Sequence, residues 1–194
     1  MEHLILYHGY RKIAFIAGPK DHPYAAARYE AYLKLLELHK IPFNPKLVSP
    51  HYAFEFMYGK EAVCHFLDNK NLKPQRDIEA IVTASDVFAF TVIKELNQRY
   101  IKVPQDIAVV GFNNRYDSIS SKPTITTIDI NHEGMGKLAM NLMVELLKGV
   151  EKYGVFNTPT HLLVRQSCGC LYGQNTNALH IQNDTYDEIG NANT

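Results

Sequence analysis

The sequence predicts an α/β fold built on a doubly wound parallel sheet. Three observations carry that expectation. Short apolar, β-prone runs occur at 12–17, 79–83 and 107–111; the segments between them have helical length and helical apolar spacing; and each run stops at turn or cap residues.

A short apolar helical turn ends at Gly9, and the run 12–17 follows as a buried strand closed by Gly18-Pro19. From Tyr24 to His39, Ala25, Tyr29, Tyr32, Leu33 and Leu36 mark one face of an amphipathic helix, with Pro42 just beyond its end. An extended piece around Leu47-Val48 precedes a second helix over about 53–67, striped by Phe54, Met57, Tyr58, Ala62 and Phe66. The polar stretch 68–77 closes it. After the strand at 79–83, Ser85-Asp86 offers cap chemistry for a helix reaching Tyr100, and Val103-Pro104-Gln105-Asp106 turns the chain into the strand at 107–111.

The last third departs from this alternation. Residues 125–128 read as a strand and 133–147 as a helix that is apolar on most of its circumference, which asks for burial on more than one side. A short strand follows at 162–165. From 171 to 194 the chain is rich in Asn, Thr and Gly and reads as a polar tail or linker.

Composition narrows the function classes. The 194 residues carry 20 Lys+Arg against 20 Asp+Glu, so no sequence-wide basic field draws in a phosphate backbone. No apolar run reaches the roughly 18 residues of a membrane span, and the start lacks a signal-peptide layout, so a cytoplasmic location and no membrane partner are expected. The three cysteines are read as free thiols, since Cys168-Gly169-Cys170 is too close for an easy bridge. A nucleophile elbow, a phosphate loop and a zinc-protease helix motif are all missing, which predicts no catalytic residues and no cofactor. No second Cys or Cys/His pair stands at finger-like spacing from Cys168 and Cys170, so no metal site is expected.

In open parallel sheets ligands gather at the carboxyl ends of the strands. That rule nominates the loops at 18–24, 49–52, 83–86 and 112–115, and with them Tyr24, Arg28, Tyr52, Ser85, Asp86 and Asn113 as candidate ligand-binding residues. Arg28 could clamp hydroxyls or a carboxylate through its fork, or lie on the surface. Asp86 could contact ligand or cap its helix, and Asn113-Asn114 suits a left-handed turn as well as a contact.

The ordered set His3-Leu4-Ile5, Gly9-Tyr10-Arg11-Lys12-Ile13-Ala14-Phe15-Ile16-Ala17-Gly18-Pro19, Arg28, Glu79-Ala80-Ile81-Val82, Ser85-Asp86, VPQDIAVVGF at 103–112, Pro123, Thr126-Thr127-Ile128, Gly136 and Val164-Arg165-Gln166-Ser167-Cys168-Gly169 resembles the effector-binding domain of LacI/GalR-type transcriptional regulators. The likeness spans roughly residues 3–170. It implies a type I periplasmic-binding-protein-like domain, present in part. Residues 1–122 and 160–170 would form the C-terminal lobe, while 125–149 would cross to and belong to an N-terminal lobe whose first half would lie before Met1. The DNA-binding head would lie before Met1 too, so DNA would be a partner only through that head, and the chain would act as a homodimer or through other self-association.

By position the resemblance gives Arg28 a ligand-holding role, Ser85 a polar contact before Asp86, and Asn113 the place of an acidic ligand residue. An amide both donates and accepts where a carboxylate only accepts, so the departure at Asn113 puts a sugar-type clamp in question. Ile130 replaces a position that is often polar. The function implied is sensing of a sugar- or nucleoside-like effector to control transcription. Two alternatives stand beside it: a sensor module fused to a diguanylate cyclase or histidine kinase, suggested by the RQSCGC ending and polar extension, and a stand-alone small-molecule binding or interaction protein.

Overall fold

The computed structural model describes residues 1–171 and the backbone of 179–181. A short helix α1 (Glu2–Leu6) leads into strand β1 (Ile13–Ile16) and helix α2 (Pro23–Leu38). Helix α3 (Met57–Cys64) continues into a wider π turn, His65–Asn69, before β2 (Ala80–Thr83), α4 (Asp86–Gln98) and β3 (Ala108–Val110). The three strands pair in parallel in the order β1-β2-β3, with Ala14 opposite Ile81 and Ile81 opposite Val109. Single parallel bridges extend the sheet at both edges, Phe15 to Val48 on one side and Val110 to Thr126 on the other.

Alternation along the strands divides the core into two layers, as a sheet covered on both faces requires. Ala14, Ile16, Ile81 and Val109 face the layer filled by α3 and α4, where Ala62, Val63, Phe66, Phe88, Val92 and Leu96 are buried. Ile13, Phe15, Ala80, Ala108 and Val110 face the other, against Leu4 and Ile5 of α1 and Tyr32 and Leu36 of α2. Tyr32 stacks on Phe15 and donates its hydroxyl hydrogen to the Ile13 carbonyl at 3.0 Å, satisfying a polar atom inside an apolar layer.

The remaining elements are α5 (Tyr116–Ser120), β4 (Thr127–Asp129), α6 (His132–Leu147), β5 (His161–Val164) and β6 (Leu179–Ile181), with β4, β5 and β6 forming a second, antiparallel sheet. Three differences from the sequence reading stand out. Helix α5 went unread because its five residues carry only local turn chemistry. Strand β6 pairs Leu179 with Val164 inside the stretch read as a polar tail; the rest of that stretch, 172–178 and 182–194, lies outside the described residues. Helix α6 buries none of its residues, and Met140, Met143, Leu146 and Leu147 are all exposed, so the burial its apolar circumference asks for is not supplied by this chain's described residues.

Helix α3 lies close on α4 because of Gly59. A Cβ there would sit 2.8 Å from the Phe88 carbonyl oxygen and closer still to the Thr91 hydroxyl, and the carbonyl belongs to a backbone that cannot step aside. Gly59→Ala should therefore destabilise the fold by about 1–3 kcal/mol, the usual cost of overpacking. Urea denaturation checks this, and an unchanged midpoint would show that α3 slides freely on α4.

Candidate functional site

The carboxyl ends of the parallel strands are laced into one rim. The Ala84 N–H donates to the Ile16 carbonyl at 3.1 Å, Asp86 N–H to Phe112 O at 2.9 Å, Gly111 N–H to Thr126 O at 2.9 Å and Asn113 N–H to Ile128 O at 2.9 Å. At the far edge Ser49 Oγ accepts from the Ala17 N–H at 3.0 Å. Each loop is thus fixed by its neighbour, the condition for holding side chains in place before any ligand arrives.

Arg28, in the second turn of α2, reaches across this rim. Its Nη1 donates to the Ala84 carbonyl at 2.6 Å and its Nη2 to Asn113 Oδ1 at 3.1 Å, while Cζ stands 3.8 Å from the centre of the Phe112 ring. Burial pulls the Arg28 pKa down and the nearby Asp86 carboxylate acts against it; a guanidinium stays charged in either case. Of five N–H donors, these contacts engage only part, leaving a positively charged fork at the rim. Asn113 and Asn114 both take positive φ, 104° and 54°, which asparagine tolerates better than most residues. The tight turn sends Asn113 to Arg28 and Asn114 to Arg165, whose Nη2 donates to Asn114 Oδ1 at 2.8 Å.

Asp86 lies beneath, fully buried. Its Oδ1 accepts from the Thr127 hydroxyl at 2.6 Å and its Oδ2 from the Arg115 N–H at 2.7 Å, so one carboxylate joins α4, the loop after β3, and β4. Gly111 makes room for it, since a Cβ there would come within 2.0 Å of Oδ1. Burial pushes the Asp86 pKa up from 3.8 to about 6, against the lowering effect of the Thr127 hydroxyl, the Arg115 amide and the Arg165 charge.

The structure brings Arg28 and Asn113 together and sets Asp86 behind them. It does not bring the other nominated residues to them. Ser85, 3% exposed, is the N-cap of α4, with Oγ accepting from Val87 N–H at 3.4 Å, so capping falls to Ser85 and Asp86 instead bridges loops. Tyr24 is largely exposed beside His22. Tyr52 stacks on Tyr58 of α3 at 5.1 Å and so faces the opposite layer. Sequence reasoning passed over Thr127 and Arg165. Arg165 is almost wholly buried and also donates to Ser118 Oγ and the Ile125 carbonyl, at 3.0 and 2.8 Å; a cation closing an apolar strand was the available signal. The fold also brings His3 and His8 beside Cys168 and Cys170, which spacing did not show because His8 stands 162 positions from Cys170.

Between α1, α2 and the sheet lies a cavity of about 220 Å³, walled mainly by apolar side chains such as Leu4, Phe15, Leu35 and Val110, with Arg28 at its border. Its walls suit an apolar group; the polar donors sit on the rim above.

A parallel sheet covered on both faces, with a charged fork on its carboxyl rim, is the architecture of a periplasmic-binding-protein-like lobe. The chain belongs to the periplasmic binding protein-like domain family, whose profile matches residues 2–168, and its relatives there are LacI-type regulators. It is 29% identical over 163 residues to the HTH-type transcriptional repressor PurR of Haemophilus influenzae, covering 82% of this chain and 47% of that protein. It is 33% identical to the HTH-type transcriptional regulator RegA of Clostridium saccharobutylicum, over 76% of this chain and 43% of that one. Among solved structures, the transcriptional regulator CelR–cellobiose complex superposes with a TM-score of 0.74 at 29% identity, over 84% of this chain and 48% of that chain. The chain spans about half the length of the curated relatives it matches.

Because the folded Asp86 holds its proton to higher pH than the unfolded one, folding is favoured most below about 3.8 and that contribution is lost as pH rises through about 6. The loss is on the order of 3 kcal/mol. A carbon-detected NMR titration should place the Asp86 midpoint near 6; a midpoint at or below 4 would show that its hydrogen bonds outweigh its burial.

Proposed function

We propose that this chain is the ligand-sensing lobe of a LacI-type transcriptional regulator, in which a polar small molecule of sugar or nucleoside type is held at the strand-end rim. The observation that carries the reading is the convergence of Arg28, Asn113 and Phe112: a charged fork, an amide and an aromatic face offered side by side. Arg28 donates to hydroxyl or carboxylate oxygens of the ligand, and Asn113 Nδ2 donates beside it while Oδ1 stays with Arg28. A ligand gripped here and by an opposing wall stabilises the closed arrangement of two lobes, and lobe angle carries the signal. The site performs binding and no bond chemistry.

The relatives named above are regulators of the HTH type, which favours a transcriptional output over a fused cyclase or kinase. On this reading DNA is bound by another part of the protein, the location is cytoplasmic, and the protein works as a dimer. No helix among the described residues is long and apolar enough to cross a membrane. The exposed apolar face of α6 fits the segment crossing to a second lobe.

The test is a thermal-shift screen of the full-length gene product against sugars, nucleobases and nucleosides, followed by titration of any hit. Arg28→Ala should weaken binding by about tenfold to a hundredfold, the worth of hydrogen bonds to a charged group, while lowering the melting temperature of the free protein only modestly, through loss of its bonds to Ala84 and Asn113, and leaving it folded. Unweakened binding would remove Arg28 from the site, and a collapse in stability would make it structural. The isolated chain should self-associate through α6, with a sedimentation coefficient that rises across micromolar concentrations and falls back on Met143→Glu/Leu147→Glu. A monomer throughout would overturn that reading of the helix.

A further inference from the structure

Where the start of the chain meets the turn after β5, four soft or borderline donors come together, one of them, His3, also lining the cavity that Arg28 borders. His3 is on α1 and His8 follows that helix; Cys168 and Cys170 sit in the turn after β5. One ligand atom from each lies within 4.8 Å of every other. Cys170 Sγ stands 3.2 Å from His8 Nε2 and 3.4 Å from His3 Nε2. For a tetrahedral zinc with Zn–S near 2.3 Å and Zn–N near 2.0–2.1 Å, the sulfur-to-nitrogen edge is about 3.5 Å. The two observed edges, 3.2 and 3.4 Å, fall slightly short of it.

Several features hold the donors in this arrangement. Gly169, between the cysteines, takes φ +109°, a conformation a side chain resists, and this turn brings Cys170 Sγ onto both histidines while Cys168 Sγ, within 4.8 Å of the other donors, donates to the Arg165 carbonyl at 3.6 Å. His8 is stacked on Tyr10 at 5.3 Å and meets His3 edge to face at 5.0 Å. His3 Nδ1 is buried with no hydrogen-bond partner, so the polar contact of that ring is made through Nε2, to Cys170. One thiol proton on Cys170 also cannot serve two imidazole nitrogens at once. A cation bound by the Cys170 thiolate and by both Nε2 atoms removes that competition.

We propose that His3, His8, Cys168 and Cys170 form a four-ligand zinc(II) site that clamps α1 to the turn after β5. Two thiolates and two neutral imidazoles match the preference of this borderline-soft cation, and four protein donors leave no open position, which makes the site structural. Binding exchanges the two thiol protons, released to solvent, for Zn–S bonds, with no change in oxidation state. Cys64, the third cysteine, is elsewhere, accepting from Arg99 Nη2 at 3.1 Å, and serves as the internal control.

The test uses the full chain, stripped with chelator and then given zinc(II) or cobalt(II). Elemental analysis after desalting should find one zinc per chain, and cobalt(II) should give the visible bands and thiolate charge-transfer absorption of a tetrahedral S2N2 complex. Zinc should raise the melting temperature and chelator should lower it. Cys170→Ser and His8→Ala should each weaken binding by more than the roughly 10–100-fold that outer-shell partners cost, while Cys64→Ser binds as the parent does. Octahedral cobalt spectra, no retained zinc, or retention undiminished in folded Cys170→Ser and His8→Ala would overturn the site. Should either variant fail to fold, the cobalt spectrum of the unaltered chain decides alone.

Discussion

The rim depends on one buried carboxylate. Asp86 has no solvent to stabilise its charge, and what it has instead is the Thr127 hydroxyl, the Arg115 amide and the field of Arg165. Those partners come from three segments distant in sequence, so they meet only when sheet, crossing strand and loop are all in place. Leaving a buried carboxylate without them is costly, which makes the correct closure of the rim cooperative with the fold. Gly111 is part of the same constraint, because any larger residue would occupy the space of Oδ1.

Once that closure exists, Arg28 and Asn113 follow from it. The Ala84 carbonyl that receives Arg28 is held by the same turn that starts α4, and Asn113 is aimed by a left-handed pair of asparagines whose second member is secured by Arg165. A fork fixed at two points keeps its remaining donors in a defined direction, so on the proposed reading a ligand would meet an arranged surface and lose less entropy in ordering it. Asp86 also sets the electrostatics: an anion behind the rim offsets part of the burial penalty on Arg28 without forming a direct pair with it.

Much of the fold was legible because its signals are local. Ile13–Ile16, Ala80–Thr83 and Ala108–Val110 are continuous apolar runs because both sheet faces are covered, and Gly18-Pro19 and Ser85 mark where they must stop. Arg28 and Asn113 could be nominated from position alone, as residues following strand ends. Tyr52 was nominated by the same rule and turns the other way, because its ring finds Tyr58 on α3. Position names the loop; packing chooses the direction of the side chain.

The chain by itself determined the alternation of strand and helix, the location of the loops at the strand ends and the family to which the motifs point, since each rests on residues adjacent or regularly spaced along it. Only the tertiary structure decided that Ser85 caps while Asp86 bridges, that Arg165 braces the rim, that α6 has no partner among the described residues, and that His3 and His8 join Cys168 and Cys170. Those outcomes depend on contacts between segments far apart in sequence, where spacing carries no information and only the path of the folded backbone brings the atoms within reach.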